Sequence, residues 1–542
     1  MLGQMMYRPL SIIEILKFAS ETYPTSEIVS ARIEGDLHRY RYIDAYKRVG
    51  KLANALSNLG AKPGDRIATL AWNGYRHFEL YYAISGIGSI CHTINPRLST
   101  EQMVYIVNHA ADKFLFLDIS FVPLIEKLSE KFPKHLNYII MADKSNMPTS
   151  SKVEFLCYED LICEEPEEFR WIELPEESAA GLCYTSGTTG EPKGALFSHR
   201  STVLHALNVS VTMPQCLKEG MRILPVVPLF HVNAWGLPYT APLTGSALIF
   251  PGVKLDGKSL FNLMEEEQVN SAWGVPTVWL GLQNEISERG KKPKDFNSVV
   301  VGGTAPPRSM ISSFEKSGVS VFHAWGMTET SPIGTLGVLS IEHQKTLDRE
   351  QILDLKTKQG RRLFGVDLKI VDDDGKNLPH DGKATGELFV RGNTIVNGYF
   401  KNDKASSAAI DKNGWFRTGD VATIDEHGFL TIQDRAKDLI KSGGEWISSI
   451  DLENVVMGHP DIENCAVIAV LHPKWDERPL LVIVPKGGKR VTKAEIDMLL
   501  LGHFAKWQLP DSIEFVKELP LTATGKVSKL TLRKKFEGYK FE

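Results

Sequence analysis

No two of the six cysteines (Cys91, Cys157, Cys163, Cys183, Cys216 and Cys465) form a C-x-x-C unit, and no His/Cys cluster has zinc spacing. That excludes a thioredoxin-type motif and a structural zinc site, and it fits reduced thiols in a cytoplasmic protein. The opening residues, Met1-Leu-Gly-Gln-Met-Met-Tyr-Arg8, lack the apolar core and cleavage site of a secretory signal. Long unbroken apolar runs are missing as well. The most apolar region, 222–250, is interrupted by Pro225, Pro228, Pro238 and Pro242 and carries His231. No transmembrane segment is expected, and any membrane contact would be peripheral. A formal net charge of -4 gives no reason to expect a nucleic-acid partner. There is no G-x-S-x-G elbow and no H-E-x-x-H helix, and Gly86-Ile-Gly-Ser-Ile-Cys91 falls short of a dinucleotide fingerprint. Internal repeats and low-complexity tracts are absent.

The chain has 542 residues, of which 43% are hydrophobic and 24% charged. That is too long for a single core, so at least two domains are expected. Apolar periodicity predicts helices over 12–22, 42–59, 76–87, 100–110, 122–131, 200–213, 257–268 and 277–289. Between them run short strands at 65–71, 90–94, 114–117, 138–141, 246–250, 271–275 and 298–301. Such alternation implies layered α/β structure with parallel strands. Beyond Gly360 the pattern changes to short strands joined by Asp372-Asp-Asp-Gly375 and Asp425-Glu-His-Gly428, which read as hairpin turns of a small β subdomain. From Asp434 onward the elements suit a small α+β domain. The expected fold is therefore α/β: a large N-terminal domain, 1–433, with a β subdomain, followed by a small mobile C-terminal domain, 434–542. The tail carries Lys526, Lys529, Arg533, Lys534, Lys535 and Lys540 against Glu537 alone, either as a solvated helix or as an anion-facing surface.

The most telling stretch is Thr185-Ser-Gly-Thr-Thr-Gly-Glu-Pro-Lys-Gly194. It follows Ala179-Ala-Gly-Leu-Cys-Tyr184, a buried strand by its composition. Gly187, Gly190 and Gly194 let backbone N–H groups approach a ligand; the hydroxyls of Thr185, Ser186, Thr188 and Thr189 add donors, and Lys193 adds charge. This is the chemistry of a polyphosphate cradle. It is not a Walker A loop, because Gly194 rather than Ser or Thr follows Lys193.

Six further motifs follow in order: Pro228-Leu-Phe-His231, Trp325-Gly-Met-Thr-Glu-Thr330, Gly386-Glu387, Trp415-Phe-Arg-Thr-Gly-Asp420, Asp434-Arg-Ala-Lys437 and Thr524-Gly-Lys526. Together with the cradle they resemble, nearly end to end, the acyl- and aryl-adenylating enzymes: acyl-CoA synthetases, adenylation domains and firefly-type luciferases. Gly444-Glu-Trp-Ile-Ser448 looks like the medium- and long-chain fatty acyl-CoA synthetases. The resemblance implies two half-reactions, acyl-adenylate and pyrophosphate from a carboxylic acid and ATP, then acyl-CoA and AMP on attack by CoA. A homodimer is part of the same expectation.

The resemblance also implies roles. Glu329, with Thr185, is the expected Mg²⁺ site. Trp325 offers a flat face to adenine, Gly302, Gly303 and Thr304 bring backbone to the base, and His323, Ala324 and Thr328 complete the nucleotide surroundings. Asp420, expected at the end of a strand, accepts the ribose hydroxyls, with Arg435 nearby; Lys437 is the hinge residue. Lys526 bridges the attacking carboxylate and the α-phosphate, where its charge acts most strongly in the transition state. His231 lies near the same groups, and Trp235, one helical turn on if the segment is helical, gates an acyl tunnel. Gly443 and Gly444 leave room for the thiol arm of CoA beside Lys441 and Trp446. Glu445 and Trp446 depart from the residues of acetyl-CoA synthetases, so those enzymes' CoA contacts do not transfer. Lys474, Arg478 and the basic tail would attract CoA phosphates by charge alone. The acyl pocket, from 226–238 and 273–280, carries no charged selector and so points to an aliphatic acid, with short methylthio-alkanoates as the alternative. A carrier-loading module, a non-catalytic homologue and a luciferase-like oxidase are the remaining readings.

Overall fold

The computed structural model describes residues 1, 3–150, 152–185, 191–443, 445–487, 489–522 and 526–541. Among these, the strands form four sheets. The first holds six parallel strands in the order Phe155–Cys157, Asn137–Ile140, Phe114–Leu117, Arg66–Leu70, Ile90–Thr93 and Ala179–Thr185, closed by antiparallel Lys193–Ser198. The second has nine strands. Its parallel centre is Ser320–Gly326, Ser298–Val301, Ser271–Gly274, Arg222–Pro225, Ala247–Phe250 and Glu27–Ala31. Antiparallel strands Leu37–Arg41 and Ile333–Leu336 flank it, and Arg361–Arg362 pairs beyond the latter. The central strands are short, apolar and buried along their whole length, as parallel strands covered on both faces must be.

The largest core fills the space between these sheets. Ile67 and Phe114 of the first meet Ile223 and Leu248 of the second through helices Ile12–Thr22, Tyr42–Asn58, Tyr75–Gly86, His199–Thr212 and Leu237–Thr244. Every residue of Tyr75–Gly86 is buried, including Arg76 and Glu79. Their charge is met by Glu34, Asp143, Glu159 and Arg48 at 2.6–2.7 Å. The expected helix boundaries hold to within a few residues. Thr100–Ala110, for example, is opened by Ser99 accepting from Gln102 N at 3.2 Å in a capping box.

A four-stranded antiparallel sheet follows: Val366–Val371, Gly386–Gly392, Phe416–Ile424 and Leu430–Arg435. Both expected hairpin turns form, with Gly375 N–H donating to Asp372 O and Gly428 N–H to Asp425 O. One expectation is corrected here. Asp420 does not end a strand: Phe416–Ile424 runs through it, with Gly419 at φ +71° and a bulge at Val421–Ala422. Asp420 keeps the buried side of the alternation with Phe416, Thr418 and Ala422, and Gly419 supplies the left-handed backbone just before it.

The last sheet contains Glu445–Ile447, Ile440–Ser442, Asp476–Pro485 and Ile462–His472, with Ser512–Phe515 parallel to the third of these. Alternation along the two long strands divides its core. Cys465 and Val467 face Leu452 and Leu500, whereas Ala466 and Ile468 face Leu532 of helix Lys529–Lys535. No described helix is long and apolar enough to cross a membrane.

Candidate active site

Four parallel strands of the second sheet release the chain on the same edge. Arg222–Pro225 leads into Pro228–His231, Ser271–Gly274 into Val275, Ser298–Val301 into Gly302-Gly303, and Ser320–Gly326 into the 3₁₀ turn Thr328–Thr330. Crevices at the carboxyl ends of such strands are where α/β folds bind ligands. The strand partners Thr185 and Lys193 bound the cradle, and the Thr185 hydroxyl donates to Lys193 O at 3.4 Å. Ser186, Gly187, Thr188, Thr189 and Gly190 lie outside the described residues.

Lys526 reaches this edge from the other end of the chain. Its Cε lies 3.2 Å from where a β-carbon on Gly303 would stand. The short loop that presents it is closed by Thr522 N–H donating to Lys526 O at 2.6 Å and Lys526 N–H donating to the Thr522 hydroxyl at 3.2 Å. Burial, reinforced by the Arg435 charge and opposed by Asp420, brings the Lys526 ammonium down to about 8. Burial and then Lys526 itself push His231 down to about 3, so His231 is a neutral hydrogen-bonding group at physiological pH.

Asp420 is 2% exposed and doubly held. The Trp325 indole N–H donates to Oδ2 at 2.9 Å, and Arg435 Nε meets Oδ1 at 2.8 Å. Trp325, Asp420 and Arg435 thus form one unit, and the tryptophan's polar edge serves the carboxylate. His323 stands apart from this unit: its Nδ1–H donates to Thr357 O at 2.9 Å, and burial lowers it to about 4. Ala324 and Thr328 are buried, and Thr304 is exposed.

Glu329 is buried in the turn after Gly326. Burial raises its carboxyl, while the Tyr399 hydroxyl, Arg435 and Lys193 draw it back. Tyr399, which sequence reading missed, donates to Glu329 Oε1 at 2.7 Å. Lys193 Nζ lies 5.1 Å from the centre of the Tyr399 ring. Among the described residues no group of three or more His, Cys, Asp or Glu side chains could hold a metal alone. One buried carboxylate beside a cradle lysine fits a Mg²⁺ whose remaining ligands are substrate phosphates, water and a hydroxyl.

The segment after His231 differs from expectation. Val232, Asn233, Ala234 and Trp235 all have positive φ, from 45° to 57°, and wind left-handed. Trp235 is therefore not one right-handed turn from His231. The turn is held by Asn233, whose Oδ1 accepts from Tyr81 OH at 3.2 Å, and by Ala234 N–H donating to Pro228 O at 3.1 Å. It lays the Trp235 ring on Gly302, where a β-carbon would stand 2.9 Å from Cη2. Trp235 and Gly302, expected at the acyl gate and at the nucleotide, are thus in contact, which their spacing of 67 residues conceals.

The residues expected around CoA form a second group. Gly443 has φ +59° and packs against the Trp475 ring, which comes within 2.9 Å of a β-carbon position, so a tryptophan occupies the space expected for the thiol arm. Gly444 lies outside the described residues. Trp446 is 53% exposed, with Lys441 Nζ 5.8 Å from its ring centre. Arg478 is corrected: it is buried, paired with Asp511 at 2.6 Å, and donates to Ser442 Oγ, Trp507 O and Leu509 O, so it has no role in attracting CoA phosphates. Lys437 is exposed in the turn after Arg435, where Ala436 N–H donates to Gly419 O and Asp438 N–H to Arg435 O.

Comparison with known proteins agrees with this geometry. The model of the AMP-binding enzyme family matches residues 17–400, and that of the AMP-binding enzyme C-terminal domain matches 451–526. The medium-chain-fatty-acid–CoA ligase of Ectopseudomonas oleovorans is 47% identical over 539 residues, covering 99% of this chain and 98% of that protein. The 3-methylmercaptopropionyl-CoA ligase of Ruegeria lacuscaerulensis is likewise 47% identical over 539 residues, covering 99% of each. Among solved structures, an anthranilate CoA ligase in complex with anthranoyl-AMP shares the fold with a TM-score of 0.86 at 23% identity, covering 98% of both chains. With family models matched over 17–400 and 451–526, the chain belongs to the AMP-binding enzyme family.

Proposed function

We propose that the protein is an AMP-forming fatty acid–CoA ligase acting on a medium- to long-chain aliphatic acid. A carboxylate oxygen attacks the α-phosphorus of ATP, the bond to the β-phosphate oxygen breaks, and pyrophosphate leaves. The sulfur of CoA then attacks the acyl carbon and AMP departs with the bonding pair. Both partners of the first step are anions, so the site must place positive charge and dipoles where they meet. The observation that carries the reading is Lys526 standing against Gly303, within electrostatic reach of His231, Asp420 and Arg435. At about 8 the ammonium still holds its proton at neutral pH, though less firmly; incoming polyphosphate would stabilise that charge, which would then act on the oxygens that gain charge. Neutral His231 would orient the carboxylate by hydrogen bonding. Asp420, aimed by Trp325, suits the ribose diol, and Glu329 with Thr185 would hold the Mg²⁺ that neutralises the phosphates.

The domain division at 433/434 and the hinge at Lys437 belong to the same reading. Release of Lys526 from the edge would open the way for CoA, with Trp446 and Lys441 on the entering surface. The six unpaired cysteines suit the cytoplasm. A second reading, a short methylthio-alkanoate, is favoured by the relative named for 3-methylmercaptopropionyl-CoA and by Trp273. That indole N–H is buried in the same core cluster as Trp235 and has no hydrogen-bond partner, so a chain heteroatom could accept from it. CoA-dependent AMP release across saturated acids of increasing length and methylthio acids tests both. A maximum among medium or long alkanoates is expected. A maximum at methylthio-propionate would select the second reading, and silence of pyrophosphate exchange across the panel would defeat both.

A further inference from the structure

The 396–400 segment ties together two parts of the site that are far apart in sequence. Val396 N–H donates to Glu329 O at 2.9 Å, and Tyr399 OH donates to Glu329 Oε1 at 2.7 Å, so both the backbone and the side chain of Glu329 are fixed from this side. One residue on, Phe400 N–H donates to Gly194 O at 2.8 Å, stitching the same segment to the strand that carries Lys193. The Tyr399 ring then lies 5.1 Å from Lys193 Nζ, a distance at which a cation is attracted to the ring face. Tyr399 is itself held, because its N–H donates at 2.8 Å to Ser406 Oγ, in the middle of helix Asp403–Ala409. No other side chain donates a hydrogen bond to the Glu329 carboxylate among the described residues.

We propose that Tyr399 is a positioning residue of the reaction: its hydroxyl fixes one oxygen of Glu329 and leaves the other for the phosphate-bound cation, while its ring seats Lys193 of the cradle. The inference rests on the metal role proposed for Glu329. Ligand carboxylates are commonly oriented by such partners, and losing one typically costs 10–100-fold in metal affinity. The two halves of the side chain have separable jobs. Tyr399→Phe removes the hydroxyl and keeps the ring; Tyr399→Leu removes both.

The test combines calorimetric titration of ATP into the full-length protein, in EDTA and in Mg²⁺, with the Mg²⁺ midpoint of ATP–pyrophosphate exchange. Tyr399→Phe is expected to keep ATP affinity in EDTA within about twofold of wild type and to raise the Mg²⁺ midpoint about tenfold or more. Tyr399→Leu is expected to add a loss of about threefold to fivefold in EDTA, as the lysine loses its seat. A wild-type Mg²⁺ midpoint in Tyr399→Phe, or an equal loss of ATP affinity with and without Mg²⁺, would overturn the proposal. Glu329→Gln separates the two layers. If it shifts the midpoint and Tyr399→Phe does not, only the Tyr399 inference fails; if Glu329→Gln keeps the wild-type midpoint, the metal role fails and this inference with it.

Discussion

Lys526 and Lys529 stand three residues apart in one basic tail, and the fold treats them in opposite ways. Lys526 faces Arg435 and His231, and burial among them lowers its ammonium to about 8. Lys529 opens helix Lys529–Lys535, meets Glu453 Oε1 at 2.8 Å and donates to Ser449 Oγ; burial works against its charge, but Glu453 and Asp434 outweigh it and hold it raised. Both amines leave bulk water. One keeps its charge because acids surround it, and the other is disfavoured until a polyanion arrives. A destabilised cation gains most from the substrate, so it is the one suited to chemistry.

The largest expected effect breaks the comparison on the catalytic side. Lys526→Ala should slow acyl-adenylate formation by about 10²–10³-fold, the cost typical of a lost transition-state contact, while sparing thioester formation from supplied acyl-adenylate. Equal loss in both half-reactions, followed separately, would remove Lys526 from adenylation. On the structural side, Lys529→Met strands Glu453 in the interior and should cost about 3–5 kcal/mol of C-terminal domain stability. Thermal melting would show it, both half-reactions should fall together, and Glu453→Leu in the same chain should recover most of the loss.

The smallest effect sharpens the comparison through pH. Lys526 is lowered from 10.5 to about 8, so between these values the unfolded chain binds the proton that the folded one has released, and stability rises with pH. Lys526→Met should therefore melt higher than wild type at pH 7, by about 1–3 °C, and the gap should close toward pH 10.5. A raised group such as Lys529 has the opposite sign: its contribution is full below the unfolded pKa and is lost only as pH passes the folded one. A gap independent of pH would show that Lys526 carries no suppressed charge in the free protein.

Much of this could be read from the sequence because its causes are local. Strand Ser298–Val301 needs only its valines, and helix Thr100–Ala110 needs only its cap and apolar spacing. The cradle announced itself as a cluster within ten residues. What stayed hidden were contacts whose partners are distant: Tyr399 with Glu329, 70 residues apart, and Trp325 with Asp420, 95 apart. An unremarkable tyrosine or tryptophan gives no sign of which carboxylate it will serve. Arg478 misled for the related reason that charge in a sequence does not say whether Asp511 will claim it. Strand Glu27–Ala31 buries Ile28, Val29 and Ser30 in succession, without alternation, and Leu37–Arg41 buries only Tyr40, so neither has a periodicity to be read.

The left-handed run Val232–Trp235 has a consequence for how this protein can change. Each non-glycine residue in that conformation costs roughly 1–2 kcal/mol, more for a β-branched one such as Val232. The turn that sets Trp235 is thus a sprung element, loaded by its own backbone and kept cocked by Tyr81 and Asn233. A glycine at any one of these positions would relieve part of that cost and loosen the hold on Trp235. Because the Trp235 ring lies on Gly302, a change of setting there would be felt at the proposed nucleotide edge as well as at the proposed acyl mouth.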